Sequence, residues 1–495
     1  MLGVIDIGSN STRLVVFDSK FPGEHRVIAE VKATLRLQRH ILPDGTLEEA
    51  AVDDLVSHLK DFAAVSRARG ATRTRAVATS AVRQATNGEH VLARVRRETG
   101  LDLTIISGDE EARLAFAGAV YGLPVEQGVL VDIGGGSMEL VRFRDRKMVS
   151  SATLPLGALK VTDQFLRSDP PTRKEITQLG KHAECLMVEA GVSPLRPGES
   201  LVVTGGTVRN LAKVDRRVVD RRFGRLHGYV IPADRLRKLV GRLRGMTAAQ
   251  RGDLKGLSAE RADSILGGAV SLLAAIKLLQ ADSVQVSGKG LREGLATEYG
   301  DSVLPPVEAV RAQSISALSA KFGTWSAQRA AVKGVVAAQL VSVLDGAVAP
   351  EMAKLVSFAA AIVDAGSTLD YYNRFEHAAR IVETGDIRGF TRREIALIAA
   401  ALLFADDSDA SPSVFGNMLS SEDVTQAKLA GVLTEVCEQI EFRLTTNAES
   451  SLDVRRDGDR LLVRAPGLGN WRPGKLATRF EEAFGVKLVV ENAVP

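Results

Sequence analysis

Two short segments of the chain share an aspartate that is followed by a small polar turn. VIDIGSNSTR begins at Val4 and LVDIGGGSME begins at Leu130. Glycine and serine leave successive backbone N–H groups and hydroxyls free to converge on an anion. An aspartate beside that anion can hold Mg²⁺ directly or through water. The segments therefore predict two phosphate-binding turns: Gly8, Ser9, Asn10 and Ser11 in the first, and Gly134, Gly135, Gly136 and Ser137 in the second.

Both turns are predicted to join two strands. A P-loop or a dinucleotide-binding loop leads from a strand into a helix, whereas these turns lead into the apolar residues 14–17 and 140–141. One turn of this kind is more often a simple hairpin tip. Asp6 and Asp132 are too far apart for a short repeat, and their spacing suits two similar domains that each begin with the same strand and turn. The matched pair favours an anion site that is gripped from two sides.

A third glycine turn follows a different pattern. LVVTGGTVRNLAKV begins at Leu201 and reads as a strand, then Gly205, Gly206 and Thr207, then a helix. Free N–H groups and the positive end of the dipole at a helix N-terminus attract anions. The turn is predicted to be a further phosphate site, although an ordinary strand-to-helix loop explains this one segment equally well.

Adjacent carboxylates occur in ISGDEEARL, which begins at Ile106. Ser107 is predicted to be the N-cap of a helix, and Glu110 three residues later completes a capping box. Glu111 is turned about 100° further round the helix, so its carboxylate is free for other chemistry. The alternative is that these acids only complement the helix dipole.

Composition limits the class of protein. The chain has 495 residues, of which 45% are hydrophobic, and a net charge of +4. This predicts about three or four domains and excludes a polycation. Cys185 and Cys437 have no metal-ligand spacing, so we expect a reducing compartment in which both thiols are packing residues. With no signal-peptide pattern and no apolar run of roughly 18 residues, we expect a soluble, cytoplasmic protein without membrane contact.

The pattern of elements changes along the chain. Residues 1–120 and 128–300 read as mixed α/β, and two consecutive prolines mark a linker at 301–308. Residues 309–440 are rich in alanine and leucine and are predicted to be helical. The last fifty residues predict a β-hairpin with Asp457 and Gly458 at its turn, followed by a helix and the strand KLVVEN.

Five stretches of the chain resemble the exopolyphosphatase / guanosine pentaphosphate phosphohydrolase (Ppx/GppA) family of the actin/hexokinase/Hsp70 superfamily. They are DIGSNSTRLVV, ATSAVRQATNG, ISGDEEARLAFAGAV, DIGGGSMEL and GLREG, and the resemblance covers residues 1–300. It implies an α/β fold with two ribonuclease-H-like (ASKHA) domains at 1–121 and 122–304. Longer members add a helical HD-like domain and a small α/β domain, which are expected at 305–445 and 446–495.

The resemblance also implies roles for individual residues. Glu111 matches the catalytic glutamate, which acts on the attacking water, and Arg83 matches a phosphate-binding arginine whose planar fork suits phosphate oxygens. Arg13 is expected to reach a phosphate of a nucleotide substrate. Asp6, Asp132 and Glu139 are the candidates for the metal side, and the resemblance implies that Asp132 and Glu139 attend Mg²⁺. A monovalent-ion requirement stays open.

The implied activity is release of terminal orthophosphate from inorganic polyphosphate. The alternative is hydrolysis of pppGpp to the tetraphosphate, a reaction of the stringent response. A kinase or ATPase of the same fold and a non-catalytic polyanion-binding protein are further alternatives, and intact Asp6, Glu111 and Asp132 argue against the last. A homodimer is expected. Nucleic acid is not expected as a partner, because the chain has only five tyrosines and two tryptophans for base stacking.

Two further expectations concern charge and the C-terminal part. The basic runs RARGATRTRAV and DRRVVDRRFGRL are either a track for a polyanion or solvated faces.

In the C-terminal half His377 is the only histidine, and Asp364 follows Val363, so an HD-type metal site is predicted to be lost. We expect this part to serve binding or dimerisation and to extend the substrate site for long polyphosphate chains.

Overall fold

The computed structural model describes residues 1–18, 25–219, 225–297, 303–344, 346–407, 409–410, 415, 418–444 and 451–492. The chain forms two compact units, 1–310 and 311–495. Parts of three predicted features lie outside the described residues: the second basic run at 220–224, the linker at 301–302 and the domain boundary at 445/446. The predicted division of each unit into two domains stays a prediction.

The first unit opens with a five-stranded sheet in the order β3-β2-β1-β4-β5. The central strand β1 is antiparallel to β2 and parallel to β4, and its apolar residues are buried because helices cover the sheet. The strands are β1 Leu2–Ile7, β2 Thr12–Asp18, β3 Arg26–Ala33, β4 Arg73–Ala78 and β5 Leu103–Ile105, and the helices are α1 Glu49–Ala68, α2 Ser80–Gln84, α3 Gly88–Thr99 and α4 Gly108–Val120.

A second sheet in the same unit repeats this arrangement and adds one strand. Its order is β10-β11-β9-β6-β7-β8, so β8, β7, β6, β9 and β11 correspond to the five strands of the first sheet. The strands are β6 Gly128–Ile133, β7 Met138–Arg144, β8 Lys147–Leu154, β9 Ser200–Gly205, β10 Tyr229–Pro232 and β11 Ser283–Val286. The helices are α5 Ala158–Phe165, α6 Arg173–Glu189, α7 Gly206–Val219, α8 Ala233–Arg244, α9 Ala248–Gly252, α10 Ile265–Leu279 and α11 Leu291–Ala296.

The strand register places the two sheets' polar residues at matching positions. Asp6 pairs with Arg13 across β1 and β2, and Asp132 pairs with Glu139 across β6 and β7. Both aspartates stand one residue before the end of the central strand, where each hairpin turn begins. The strand–turn–strand prediction for both segments is confirmed.

The C-terminal unit is mostly helical, as predicted. Lys333 is fully buried there, and its ammonium lies 3.0 Å from Asp364 and 2.5 Å from Glu438. The predicted hairpin is present, and its two loop residues are Gly458 and Asp459. The helices are α12 Val307–Ser319, α13 Ala327–Val343, α14 Pro350–Ser367, α15 Arg374–Thr384, α16 Arg392–Asp406, α17 Ser421–Glu441 and α18 Lys475–Phe484, and the strands are β12 Asp453–Asp457, β13 Arg460–Ala465 and β14 Lys487–Asn492.

Two general expectations can be compared with the structure. Cys437 is buried, but Cys185 is exposed on α6 and its thiol donates to Glu189 Oε1 at 3.2 Å. The prediction that both thiols are packing residues is therefore wrong for Cys185, because its position falls on the outer face of an amphipathic helix. None of the helices in the described ranges is long and apolar enough to cross a bilayer.

Candidate active site

The two predicted phosphate turns have the same backbone geometry. Gly8 N–H donates to the Ser11 carbonyl at 3.2 Å, and Gly134 N–H donates to the Ser137 carbonyl at 3.0 Å. The turns also approach each other closely. A Cβ on Gly136 would lie 2.7 Å from Ser9 Oγ, and a Cβ on Gly135 would lie 3.0 Å from the backbone nitrogen of Asn10. The two turns therefore lie against one another in a single cleft.

The first turn carries buried polar atoms without partners. Ser9 and Asn10 are 3% and 4% exposed, yet Ser9 Oγ and both side-chain polar atoms of Asn10 have no hydrogen-bond partner among the described residues. Their backbone is fixed, because the N–H groups of Arg36 and Gln38 donate to the carbonyls of Asn10 and Ser9 at 3.0 and 3.1 Å. Buried polar atoms normally have partners, so this set marks a place where a ligand completes the hydrogen bonding.

The second turn is held by the start of α5. The N–H groups of Ala158 and Leu159 donate to the carbonyls of Gly134 and Gly135 at 3.0 and 2.9 Å. These bonds use the carbonyl side of the turn. An anion in the cleft would therefore meet the turn's remaining N–H groups and the nearly buried Ser137.

Three predicted metal-side carboxylates line this cleft: Asp6, Asp132 and Glu139. Burial raises the pKa of Asp132 to about 6, with Asp6 adding to the effect and Arg209 opposing it. Burial and then the charges of Glu111 and Asp132 raise the pKa of Glu139 well above its usual value. Glu139 is 1% exposed and its Oε1 has no partner in the described part of the chain.

Glu111 reaches the same cleft from the first turn of α4. Ser107 caps this helix by accepting from the Glu110 N–H at 3.1 Å, but the Glu110 carboxylate lies on Arg113 at 2.7 Å. The predicted capping box is therefore only half formed, because a neighbouring guanidinium competes for the carboxylate. Glu111 accepts from Arg83 at 2.9 Å.

The pKa of Glu111 is raised to about 7. Burial is the main cause, the negative charges of Asp132 and Asp6 add to it, and the Arg83 guanidinium opposes it. A carboxylate with a pKa near neutrality can accept a proton from water and release it again. The side chain that the sequence singles out as the base therefore has the environment that this role requires.

Two predicted site residues do not line the cleft. Arg83 donates to Glu111 and to the Ile106 carbonyl, both at 2.9 Å, so it holds the glutamate. Thr207 is 1% exposed and packs under the start of α10, where a Cβ on Gly268 would lie 2.7 Å from its Oγ1. Their phosphate-binding roles stay predictions. The other predicted residues, including Arg13, Gly205 and Gly206, line the cleft.

Close packing requires glycine at the last residue of β9. Gly205 has φ +98°, and a Cβ there would lie 2.3 Å from the Ile133 carbonyl at the end of the second central strand. A Cβ on Gly206 would lie 2.1 Å from the guanidinium carbon of Arg261. The third turn thus lies against the end of β6 and against Arg261.

Three arginines that were not predicted also line the cleft: Arg209, Arg261 and Arg292. Burial and then neighbouring guanidinium charges lower the pKa of Arg209 to about 10, and burial and then Arg13 lower that of Arg261 to about 10. A second cavity of about 250 Å³ shares these arginines and adds Lys213. Arg292 lies in the GLREG segment and Arg209 in the GGTVRN segment. Their place in these two segments was the sequence signal that could have predicted them as site residues.

Ion pairs join the two halves of the first unit. Arg36 and Arg39, which follow β3 of the first sheet, contact Asp263 at 2.7 and 2.8 Å, and Arg39 contacts Asp163 at 2.8 Å. Both aspartates belong to the half of the unit that contains the second sheet. These contacts hold the two halves together around the site.

A duplicated sheet of this order, with two matching glycine-containing hairpin turns that line one cleft, defines an ASKHA-type fold. Within that class the chain belongs to the Ppx/GppA phosphatase family, which residues 15–302 match. Exopolyphosphatase 1 of Mycobacterium tuberculosis (strain ATCC 25618 / H37Rv) is 34% identical over 332 residues, 66% of this chain and 96% of the relative. Exopolyphosphatase 1 of Mycobacterium leprae (strain TN) is 35% identical over 305 residues, 61% of this chain and 90% of the relative.

Solved structures agree with this assignment. The crystal structure of the Aquifex aeolicus member of the Ppx/GppA protein family is 29% identical and has a TM-score of 0.53. The match covers 60% of this chain and 96% of that one. An exopolyphosphatase from Cytophaga hutchinsonii ATCC 33406 is 23% identical with a TM-score of 0.55, which shows the shared fold.

Proposed function

We propose that this protein is an exopolyphosphatase, which releases terminal orthophosphate from inorganic polyphosphate. One observation carries the proposal: Glu111, with a pKa of about 7, lines the same cleft as Ser9 and Asn10, whose side-chain polar atoms have no hydrogen-bond partner among the described residues. The names of the mycobacterial relatives point to the same activity.

The carboxylates of the cleft fit Mg²⁺. No group of three or more His, Cys, Asp or Glu side chains within the described ranges is arranged to enclose a metal by itself. Mg²⁺ does not need such a cage, because it usually binds one or two carboxylates, substrate phosphates and several waters. The unpartnered Oε1 of Glu139 and the buried Asp132 are suitable donors. Asp132, Glu139 and Asp6 would hold the ion, which would neutralise charge on the phosphoryl oxygens.

The chain's own residues would position the anhydride and move one proton. The N–H groups and hydroxyls of the two turns bind the terminal phosphate, and Arg13, Arg209 and Arg261 attract the phosphates that follow. Glu111, held by Arg83, accepts a proton from the attacking water. The water oxygen bonds to the terminal phosphorus while the bridging P–O bond breaks, and the shortened chain leaves as the anion.

A side-by-side assay tests this function. Phosphate release is measured from long-chain polyphosphate, pppGpp and ATP, with and without Mg²⁺, and the Glu111→Gln variant serves as the matched control for contaminating phosphatase. We expect Mg²⁺-dependent release from polyphosphate that the variant lacks. Release from pppGpp alone would favour the pppGpp phosphohydrolase alternative, and ADP formation alone would favour an ATPase. A cytoplasmic location and a homodimer belong to the same proposal.

A further inference from the structure

The GLREG segment at 290–294 forms a helix that crosses between the two halves of the first unit. Helix α11 follows the second sheet in the chain, yet its Leu295 and Ala296 pack with Val4 and Phe17 of the first sheet. Helix α4 does the reverse, because it follows the first sheet and its Phe116 packs against the second. Each helix therefore packs against the sheet of the other half, and the two helices meet beside the cleft.

Glycines let these helices touch backbone to backbone. A Cβ on Gly294 would lie 1.9 Å from the Leu114 carbonyl, and a Cβ on Gly118 would lie 1.9 Å from the Gly290 carbonyl. The Gly290 N–H is also held by Glu293 Oε2 at 2.8 Å. The backbone of α11 therefore has little freedom to move. The Cα atom of the residue after Leu291 is consequently fixed in position.

That residue is Arg292, which lines the cleft and is largely buried. Its side chain is 13% exposed, and Nη1 lies 3.3 Å from Asp6 Oδ2. Nε is buried without a partner among the described residues. A guanidinium has five N–H donors in a planar fork, and the long contact with Asp6 uses one of them. Buried donors normally have acceptors, so the Nε–H group marks a place where an acceptor atom of a ligand would complete the hydrogen bonding.

We propose that Arg292 is a phosphate-binding residue that Asp6 orients. The carboxylate holds one edge of the guanidinium, and the other donors meet oxygens of a phosphate in the cleft. A planar fork binds phosphate with two parallel hydrogen bonds. This inference rests on the proposed function for its substrate class, but it concerns binding of a phosphate chain and does not require turnover.

A purely structural role for Arg292 would be to fasten α11 to the first sheet. Arg75 already has such a role, because its Nη1 donates to the Leu295 carbonyl at 2.9 Å and it does not line the cleft. Arg75→Met is therefore the matched control. It removes an arginine that holds the same helix and leaves the cleft unchanged.

Binding of inorganic tripolyphosphate by the full chain tests the proposal, measured by calorimetry without a divalent metal so that no hydrolysis is needed. We expect Arg292→Met to weaken binding roughly 10- to 100-fold, as for loss of a hydrogen bond to a charged group. Added guanidinium ion, at low millimolar concentration, should restore part of the affinity. Arg292→Lys should lie between the two, and Arg75→Met should bind like the wild type.

The outcomes separate this inference from the proposed function. Equal losses in Arg292→Met and Arg75→Met, or no rescue by guanidinium, would overturn the binding role and leave a structural one. Tripolyphosphate binding that depends on Arg292 in a protein that releases no phosphate would support Arg292 and overturn the proposed activity. A wild type that neither binds nor hydrolyses would overturn both.

Discussion

Several acidic and basic side chains of the cleft have pKa values that burial shifts in opposite directions. Glu111, Asp132 and Glu139 all have raised pKa values because burial disfavours their charged forms and their charges repel one another. Arg209 and Arg261 have lowered pKa values for the same reasons. A divalent cation relieves the first group and a polyanion relieves the second, so the ligands that the proposed reaction needs are those that the residues attract.

Replacement of the candidate base should separate chemistry from binding. We expect Glu111→Gln to lower the rate of phosphate release by at least about a hundredfold, as for loss of a general base, with tripolyphosphate affinity largely kept. Glu110→Gln is the control, because Glu110 pairs with Arg113 outside the capping box and its loss should change stability by only about 0.2–0.5 kcal/mol. Similar rates in the wild type and Glu111→Gln would contradict the assignment.

The pKa of Glu111 predicts the acid side of the pH profile. A base must be ionised, so kcat/KM should fall as the pH drops through the pKa, which burial raises to about 7. Asp132 and Asp6 contribute to that raised value. A higher Mg²⁺ concentration should therefore move the acid limb to lower pH. A kcat/KM that rises as the pH falls, or an acid limb that does not shift with the Mg²⁺ concentration, would contradict the role of Glu111 as the base.

Asp132 should control the response to metal. We expect Asp132→Asn to raise the Mg²⁺ concentration needed for half-maximal rate, because a neutral amide is a poorer partner for the ion. The control is Asp109→Asn, which alters an exposed acid that accepts from Ser151 at 3.1 Å. Mg²⁺ titrations of the rate compare the three proteins. Identical titration curves for Asp132→Asn and the wild type would refute the assignment.

Crossing helices position the residues that no single sheet could bring together. Glu111 lies on α4 and Arg292 on α11, and both helices pass from one half of the unit to the other beside the cleft. Their backbones touch at Gly118 and Gly294. The spacing of Glu111 and Arg292 therefore depends on a contact that leaves no room for a side chain.

Alanine at one of these glycines should disturb both stability and activity. A Cβ on Gly118 would lie 1.9 Å from the Gly290 carbonyl, and overpacking of this kind costs about 1–3 kcal/mol. Gly241 in α8 is the matched control, because no atom of the described residues lies within 4 Å of its Cβ position. Alanine there should raise the free energy of unfolding by roughly 0.5–1 kcal/mol. Urea unfolding and polyphosphate turnover measure the two effects. An unfolding midpoint for Gly118→Ala equal to that of the wild type would show that the contact can relax.

The whole molecule divides its charge unequally between the units. Residues 1–310 contain 44 basic and 37 acidic residues, whereas residues 311–495 contain 20 basic and 23 acidic residues. Nearly the whole tuberculosis relative, 96% of it, aligns with 66% of this chain. The surplus of positive charge thus belongs to the unit that carries the family match.

A chain that ends at residue 310 tests what the second unit adds. It keeps Glu111, Asp132 and Glu139, so we expect it to hydrolyse short polyphosphate. Because the surplus charge lies in the first unit, the salt dependence of long-chain binding should also be kept. A shallower salt slope and weaker long-chain binding would support the earlier expectation that the C-terminal part extends the site. If the short chain is insoluble, variants of the full protein with reversed charges on the second unit are measured instead, over the same range of salt concentrations.

Local patterns in the sequence were enough to predict the parts of the site. The Asp-Ile-Gly hairpins, the glycine turn after β9 and the cap at Ser107 all depend on residues close together in the chain, where backbone geometry and hydrogen bonding act alone. The resemblance to a known family supplied the predicted role of Glu111.

The tertiary structure decided which of these parts meet and in what state. Arg292 contacts Asp6 from 286 positions away, and Arg83 lies on Glu111 outside the cleft's lining. Arg113 pairs with the Glu110 carboxylate, which therefore does not complete the predicted capping box at Ser107. The raised pKa of Glu111 also depends on burial and on charges from other strands. Burial and long-range contacts exist only once the two sheets close around the cleft, and for that reason no local pattern in the sequence contains them.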